Sequence, residues 1–254
     1  MPDFRDLHRP GAPLLLPNAW DVASALALAD AGFAAIGTTS LGVAAAHGLP
    51  DGQEQGKDQT LEFVRALHGR LEIPLTVDAE GGFGGSPAEV ADLAATLHAA
   101  GAAGLNLEDG RPHGTLAPPD DQAARIAAVK ARSPGLFVNA RTDTHWTGTG
   151  DLAEALSRAR TYLEAGADGI FVPAVAADDD IRALVALGAP VNVLLLPGMT
   201  VPHLAGLGVA RISTGSLLFR AALAAAVGVA REVAAGAPAP AVTLTYAQAN
   251  ALSR

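Results

Sequence analysis

The chain has 254 residues, of which 50% are hydrophobic and 4% aromatic, so a large core must be built from many small side chains. Its formal net charge is −9 and it has no basic run, which argues against nucleic acid and against an anionic membrane surface as partners. The absence of cysteine excludes disulfides, thiolate metal sites and cysteine nucleophiles.

Two segments bear on the compartment of the protein. Residues 1–13 are charged and contain proline, and they lack the apolar stretch of a signal peptide. Residues 183–210 carry no Asp, Glu, Lys or Arg, but glycines, prolines and polar residues interrupt them, which a lipid-exposed helix would tolerate poorly. We therefore predict a soluble cytoplasmic protein with no membrane partner.

Short apolar runs alternate with Ala-rich helical stretches along the chain. The predicted strands are residues 14–18, 33–40, 75–80, 104–108, 136–143, 169–175, 191–196 and 211–214. The predicted helices are residues 21–31, 60–70, 86–100, 119–133, 151–165, 178–187, 201–207 and 217–235. An Ala-Gly pair precedes three of the strands, which indicates a helix C-cap that leads directly into a buried strand.

Eight strands that alternate with helices over this length predict an α/β fold, a (β/α)8 TIM barrel. The alternative, an open doubly wound sheet, usually has a G-x-G-x-x-G loop after its first strand, and none follows residues 14–18. Residues 1–235 are predicted to form one barrel domain. Residues 236–254 are predicted to be a tail that packs on the barrel or on a neighbouring subunit.

The third predicted strand ends in two carboxylates, Asp78 and Glu80, followed at once by glycines. Side chains at i and i+2 of a strand point to the same side, so both acids are expected to face one way. Two such carboxylates repel each other unless a cation or a proton lies between them. Oxygen ligands without sulfur favour Mg²⁺, although two solvated acids at a strand end remain the alternative.

Polar residues also end the fourth and fifth predicted strands. Catalytic groups of TIM barrels lie at such strand ends. Glu108 ends the fourth strand, and Arg141 and Asp143 share one side of the fifth by alternation. Arg141 is a candidate to clamp a substrate carboxylate with two hydrogen bonds. The alternative for Arg141 is a salt bridge to Asp143 or Glu108 within the barrel mouth.

The longest connection with few apolar residues is predicted to span residues 41–59. A loop of this length in a compact barrel is usually a lid or a binding loop. Asp51 or His47 on it is a candidate general acid or base. Ordinary turn residues are the alternative, because Pro-Asp-Gly at residues 50–52 is a good turn sequence.

Several stretches together resemble the phosphoenolpyruvate mutase/isocitrate lyase superfamily, in order and spacing from about residue 10 to residue 225. They are residues 17–21 (PNAWD), 39–52, 78–84 (DAEGGFG), 106–109 (NLED) and 139–143 (NARTD). The resemblance implies an α/β barrel, dependence on Mg²⁺ with Mn²⁺ as an alternative, and a small 2-oxo or 2-hydroxy carboxylate as substrate. It also implies a homo-oligomer, a dimer or a tetramer, with C-terminal helices exchanged between subunits.

The same resemblance implies roles for individual residues. Asp78, Glu80 and Glu108 correspond to metal-binding acids, and Asp78 also lies beside the substrate. Ser40, Leu41 and Gly42 correspond to the segment that holds the substrate carboxylate. Arg141 corresponds to the substrate-binding arginine, and Asp51 falls where the mutase-like members have a catalytic loop aspartate.

Two departures from the family pattern bear on the reaction. The lyases carry a catalytic cysteine in a Lys-Lys/Arg-Cys-Gly-His motif after the fourth strand, where this chain reads GRPHGT at residues 110–115. The sixth strand ends in Pro173, where members often have histidine or glutamate. The leading hypothesis is a Mg²⁺-dependent carbon–carbon lyase of the isocitrate, 2-methylisocitrate or oxaloacetate type, with catalytic Asp51 and Arg141. The alternatives are phosphorus–carbon bond chemistry, or a metal-binding and ligand-binding barrel without catalysis.

Overall fold

Nine of the strands form one parallel sheet that curves into a barrel. The computed structural model describes residues 3–253 of the chain. Its strands are β1 (Leu14–Leu16), β2 (Asn18–Ala19), β3 (Ile36–Thr38), β4 (Leu75–Asp78), β5 (Ala102–Glu108), β6 (Gly110–Arg111), β7 (Thr115–Leu116), β8 (Phe137–Arg141), β9 (Gly169–Phe171), β10 (Val191–Leu194) and β11 (Arg211–Ser213). The sheet order is β1-β11-β10-β9-β8-β5-β4-β3-β2, while β6 and β7 form a separate antiparallel pair.

The barrel closes through the first strand. Leu14 in β1 pairs with Arg211 in β11, and Asn18 in β2 pairs with Gly37 in β3. Pro17 separates β1 from β2, because proline has no N–H to donate to a sheet. The two segments therefore occupy one strand position with a neighbour on each side, which gives eight positions around the ring. The predicted (β/α)8 TIM-barrel fold is confirmed.

Helices follow most of the barrel strands. They are α1 (Val22–Asp30), α2 (Ser40–Ala46), α3 (Lys57–Leu67), α4 (Pro87–Ala99), α5 (Pro119–Arg132), α6 (Thr144–Thr147), α7 (Leu152–Glu164), α8 (Asp178–Val185), α9 (Val201–Gly206), α10 (Leu217–Ala234) and α11 (Tyr246–Ala251). Ser86 caps α4 in a capping box with Glu89, and Pro87 occupies the first turn, as helix-start preferences predict. Gly101 and Gly166 follow α4 and α7 with φ of +103° and +101°, which confirms the C-caps that lead into strands.

Two predicted boundaries, those of the loop at residues 41–59 and of the strand at residues 75–80, were wrong. Residues 41–59 are not one long loop, because α2 occupies most of their first third and α3 begins at Lys57. The irregular segment is therefore only residues 47–56. The predicted strand 75–80 ends at Asp78, because Glu80 adopts a left-handed φ of +48°.

The N-terminal segment closes the end of the barrel opposite the strand C-termini. A 3₁₀ turn at Phe4–Leu7 precedes His8, whose ring stacks on Phe137 with 4.3 Å between centroids and 11° between planes. The Phe4 ring meets both rings edge-on. Phe4 and Phe137 pack with Leu14, Leu16 and Ala35 in a small cluster beside the main core. The segment therefore seals the barrel floor with apolar and aromatic contacts.

The C-terminal helices lie largely outside this core. Of the 18 residues of α10, Phe219 is the buried one, and its ring packs edge-on against Trp20 at 5.5 Å. Leu223, Val227 and Val233 are exposed on α10. The exchange of this helix between subunits stays a prediction, as does the role of residues 236–254. Among residues 3–253, no helix has the length and apolarity needed to cross a lipid bilayer.

Candidate active site

A pocket of about 400 Å³ lies at the C-terminal ends of the strands. Its charged lining consists of the side chains of Asp51, Asp78, Glu108, Asp143, Arg111 and Arg141. Four carboxylates and two guanidiniums give it a formal charge of −2 with the lining imidazole of His113 neutral. An anionic ligand entering this pocket meets net repulsion unless a cation accompanies it.

Asp78 lies at the end of β4 and is held from two sides. Its N–H donates to Thr38 Oγ1 at 2.8 Å, and its Oδ2 accepts the Ser40 N–H at 3.3 Å. Its other oxygen, Oδ1, is buried and has no hydrogen-bond partner among the described residues. A buried carboxylate oxygen without a donor is costly, and a bound cation would satisfy it. Asp78 is therefore the strongest metal-ligand candidate.

Glu80 does not share the pocket face that strand alternation predicted for it. It is 3% exposed, and its Oε2 accepts the Glu54 N–H at 3.0 Å, which ties residues 47–56 to the end of β4. Burial raises the pKa of Glu80 to about 7, and the charges of Asp78 and Asp51 add to the rise against the Glu54 hydrogen bond. The carboxyl lies behind the pocket lining but within electrostatic reach of Asp78.

Arg141 bridges two carboxylates. Its Nη1 lies 2.8 Å from Glu108 Oε2, and its Nε donates to Asp143 Oδ1 at 2.6 Å. Burial lowers the pKa of Arg141, but the charges of Glu108 and Asp143 outweigh it, so the pKa is raised and the cation is permanent. Burial raises the pKa of Glu108 well above its usual value despite the opposing charge of Arg141. The alternative predicted for Arg141, a salt bridge within the barrel mouth, is therefore present with both Glu108 and Asp143.

Asp51 reaches the pocket from the irregular segment 47–56. Partial desolvation and the charge of Asp78 raise its pKa, while a hydrogen bond from the Ser40 side chain opposes the rise. Ser40 and Leu41 also line the pocket. Gly42 is buried in α2, where a Cβ would lie 2.7 Å from Trp20 Cβ, so the close packing there requires glycine. Its contact with the substrate carboxylate stays a prediction. His47 turns back to Val43 O at 2.8 Å.

The connection after β5 is an ordered hairpin. Strands β6 and β7 pair across a 3₁₀ turn at Pro112–Gly114, with His113 at φ +69°. Arg111 Nη1 donates to Glu108 O at 3.0 Å and to Gly110 O at 2.7 Å, and its Nη2 donates to Gln122 Oε1 at 3.2 Å. The Arg111 guanidinium is therefore engaged by the protein itself.

Asp109 is a fully buried acid that holds the pocket residue Asp143 in place. Its Oδ1 accepts the Asp143 N–H at 2.8 Å, and its Oδ2 accepts from Tyr162 Oη at 2.7 Å and Arg158 Nη1 at 3.1 Å. The carboxylate thus joins the end of β8 to helix α7. The sequence showed Asp109 at a strand end, but its inward direction depends on the turn after β5.

Arg211 is a buried cation that inspection of strand ends could not find, because it begins β11 rather than ending it. It is 1% exposed, and its Nη2 donates to Asn106 Oδ1 at 3.2 Å. Burial lowers its pKa to about 9, against the attraction of Asp78. Asn106 also accepts from Asn139 Nδ2 at 2.9 Å. A polar layer therefore underlies the pocket floor.

The donor set suits a hard divalent cation. Among residues 3–253, no three His, Cys, Asp or Glu side chains converge tightly enough to hold a metal ion by themselves. Mg²⁺ does not require such a cage, since it keeps several waters and takes one or two carboxylates directly. Asp78 Oδ1 is a candidate for such a direct ligand, and the carboxyls of Glu80 and Glu108 lie within electrostatic reach of Asp78.

Comparison with known sequences gives consistent matches. The family model described as phosphoenolpyruvate phosphomutase matches residues 4–234. An uncharacterized protein of Mycobacterium tuberculosis (strain ATCC 25618 / H37Rv) is 43% identical over 250 residues, which are 98% of this chain and 95% of that protein. The 2-methylisocitrate lyase of Bacillus subtilis (strain 168) is 34% identical over 187 residues, which cover 70% of this chain and 61% of that enzyme.

Solved structures match over nearly the whole chain. A protein of Burkholderia cenocepacia J2315, whose assignment as a phosphonomutase is provisional, is 42% identical with a TM-score of 0.85, covering 90% of this chain and 97% of that one. A phosphonopyruvate hydrolase in complex with oxalate and Mg²⁺ is 26% identical with a TM-score of 0.87, covering 99% and 93%. The family model, over residues 4–234, includes every strand that lines the pocket.

Proposed function

This chain belongs to the phosphoenolpyruvate mutase/isocitrate lyase superfamily, and we propose that it is a divalent-cation-dependent lyase that breaks a carbon–carbon bond of a small 2-oxo or 2-hydroxy carboxylate. One observation carries the proposal. The pocket has a formal charge of −2 and contains a buried carboxylate oxygen, Asp78 Oδ1, without a hydrogen-bond partner among the described residues. Such a pocket favours a cation together with an anionic substrate.

Asp78, Glu80 and Glu108 are the proposed metal ligands, directly or through water. Mg²⁺ is the cation that their oxygen atoms favour, with Mn²⁺ as the alternative. When bound, such a cation supplies Lewis-acid stabilisation of negative charge that develops on the substrate. Glu108 can take part while it holds Arg141, because the salt bridge uses Oε2 and leaves its second oxygen.

Arg141 is the proposed substrate-orienting residue. Its guanidinium has five N–H donors, and the contacts to Glu108 and Asp143 use only part of them. Its fork fits a carboxylate, and its raised pKa keeps it charged at every physiological pH. The lining residues Ser40 and Leu41 complete the proposed carboxylate side of the pocket.

Asp51 is the proposed proton carrier. For a 2-hydroxy acid, the Asp51 carboxylate takes the hydroxyl proton, and the C2–O bond becomes a carbonyl as the C2–C3 bond breaks. The bonding pair passes to C3 and its neighbouring carboxyl group, and the proton is returned to C3. The raised pKa of Asp51 makes its carboxylate a stronger base, which favours the uptake of this proton.

Titration calorimetry of metal-free protein with Mg²⁺ and then with oxalate, a mimic of an enolate, tests the proposal. We expect oxalate binding that requires Mg²⁺ and that weakens by at least about tenfold in Asp78→Ala. The matched control is Asp92→Ala, which removes an exposed aspartate of α4. Metal-dependent oxalate binding that survives Asp78→Ala would show that the cation lies elsewhere.

Phosphorus–carbon bond chemistry is the second candidate. The 26% identical phosphonopyruvate hydrolase, solved with oxalate and Mg²⁺, supports it. Phosphate release from phosphonopyruvate, without cleavage of any 2-hydroxy acid, would favour it over the lyase. Oxalate binding without turnover of either substrate class would instead favour a barrel that binds ligands without catalysis.

A further inference from the structure

Uncharged polar side chains from three barrel strands line the pocket, and two of them already donate within the protein. Among the described residues, these side chains are Asn18 on β2, Asn106 on β5 and Ser213 on β11. Asn18 Nδ2 donates to Thr38 O at 2.7 Å, and Ser213 Oγ donates to Asn192 Oδ1 at 3.1 Å. Neither group is therefore free to donate to a ligand.

Asn106 differs, because its amide nitrogen is free. Its Oδ1 accepts from Arg211 Nη2 at 3.2 Å and from Asn139 Nδ2 at 2.9 Å. Its Nδ2 has no hydrogen-bond partner among residues 3–253, and it is not one of the fully buried atoms. Since Asn106 lines the pocket, the amide presents two N–H groups to the space that a ligand occupies.

Arg211 fixes this orientation of the amide. A half-turn of an asparagine side chain exchanges its oxygen and nitrogen, but a guanidinium has donors only, so the Asn106 atom that faces Arg211 must be the oxygen. Arg211 is 1% exposed, and its Nε and Nη1 are buried without partners among the described residues. A buried cation with so few partners costs stability. Its bond to Asn106 indicates a role in holding the amide.

The free amide lies beside the proposed cation site. Asn106 on β5 pairs with Asp78 on β4 in the sheet register, and neighbouring strands lie about 4.8 Å apart. Asp78 Oδ1 is the candidate direct ligand of the cation. An anion bound to that cation therefore has an oxygen next to Asn106 Nδ2.

We propose that Asn106 Nδ2 donates a hydrogen bond to an oxygen of the bound anion, and that Arg211 is the positioning residue that holds the amide for this bond. This inference rests on the proposed function, because it adds a donor and its support to the same site. A donor held in place before the ligand arrives stabilises negative charge on that oxygen without having to reorient.

Two aspartate variants test the donor. Asn106→Asp keeps an oxygen for Arg211 and replaces the N–H donor by a second oxygen. The matched control is Asn192→Asp, because Asn192 is 1% exposed, pairs with Arg211 in the sheet register and does not line the pocket. It adds the same charge beside the same guanidinium.

Titration calorimetry on Mg²⁺-loaded protein measures oxalate binding by these variants. We expect oxalate affinity to fall at least about tenfold in Asn106→Asp and less than about threefold in Asn192→Asp, since a hydrogen bond to a charged group is lost only in the first. Mg²⁺ alone should bind Asn106→Asp at least as tightly as wild type, because the new carboxylate lies beside Asp78. A general loss of structure would weaken the binding of both ligands.

A double-mutant cycle tests the positioning role of Arg211. We expect Arg211→Met to weaken oxalate binding about fivefold in the wild-type background and less than about twofold in Asn106→Leu, since no amide is then left to hold. Asn106→Ala, which leaves room for water beside Arg211, replaces Asn106→Leu if the latter fails to fold. Equal factors in the two backgrounds would overturn the positioning role, because Arg211 would then act through its charge or through the fold.

The outcomes separate this inference from the proposed function. If oxalate fails to bind wild type in the presence of Mg²⁺, the proposed function fails. If wild type binds oxalate and Asn106→Asp binds it equally well, the donor role of Asn106 is overturned while the metal site stands. Equal weakening in Asn106→Asp and Asn192→Asp would also overturn it, because net charge alone would then explain the effect.

Discussion

The burial of His8 at the barrel floor predicts how the free energy of unfolding depends on pH. Its ring is 7% exposed, stacks on Phe137, and has its Nδ1 2.9 Å from Phe4 O. Its pKa is lowered from 6.5 to about 4, chiefly by burial and also by the positive charges of Arg211 and Arg5, against hydrogen bonds to the backbone. The folded protein therefore keeps the imidazole neutral in a range where the unfolded chain protonates it.

The direction of the pH effect follows by linkage. The stabilisation is fully present above pH 6.5, and it is lost as the pH falls toward 4, because the unfolded state then binds a proton that the folded state does not. Between pH 7.5 and pH 5, the shift corresponds to a loss of about 2 kcal/mol in the free energy of unfolding. Glu80 titrates in the opposite sense, so the effect must be measured as a difference from a variant.

His8→Phe is the variant, since it keeps the stacked ring and removes the titrating group. We expect the loss of the bond to Phe4 O to cost about 1 kcal/mol at both pH values. The difference in unfolding free energy between wild type and His8→Phe should therefore change by about 2 kcal/mol from pH 7.5 to pH 5 in urea denaturation. For the control His68→Phe, at an exposed histidine, the difference in unfolding free energy from wild type should change by less than about 0.5 kcal/mol between the same pH values. A pH-independent difference for His8→Phe would refute the buried neutral imidazole.

Three further changes test the polar framework. Tyr162→Phe removes a donor to the buried Asp109 and is expected to lower the free energy of unfolding by about 2 kcal/mol in urea; an unchanged value would mean that Asp109 does not need this hydroxyl. Gly110→Ala places a Cβ against Asp143 Oδ2 and should weaken Mg²⁺-dependent oxalate binding about tenfold in calorimetry, whereas unaltered affinity would separate Asp143 from the site. Glu80→Gln should raise the free energy of unfolding of the metal-free protein by about 2.5 kcal/mol more at pH 8 than at pH 5, because wild type loses stability as the pH rises from 4.5 through about 7. An equal effect of the substitution at both pH values would contradict the raised pKa of Glu80.

The barrel was predictable because each βα unit repeats the same local signals. Ala-Gly pairs end helices before strands, and Ser86-Pro87 begins α4, so short-range chemistry set these boundaries. Helix α2 was missed because it starts directly after β3, at Ser40, without an intervening loop. Its N-cap, Thr39, had been assigned to the strand.

The geometry of the site was less predictable, since it depends on where each strand stops. Alternation along a strand placed Asp78 and Glu80 on one side, but the left-handed backbone at Glu80 ends the strand and breaks that alternation. Arg211 escaped notice because its inward direction matters only after the barrel closes between β11 and β1. Alternation did group Arg141 with Asp143, and the pairing of adjacent strands β5 and β8, which places Glu108 opposite Arg141, accounts for the second salt bridge.

Binding of a substrate carboxylate and salt bridges to Glu108 and Asp143 are compatible roles for Arg141. A buried guanidinium requires partners in the absence of substrate, and Glu108 and Asp143 provide them at 2.8 and 2.6 Å. The same contacts hold the guanidinium plane in one orientation before a substrate arrives, so less conformational entropy is lost on binding. Burial raises the pKa of Glu108, and the Arg141 charge opposes that rise, which favours the ionised form that a cation requires. Under the proposed function, the salt bridge that the sequence analysis set against substrate binding would instead prepare the pocket for a cation and an anion together.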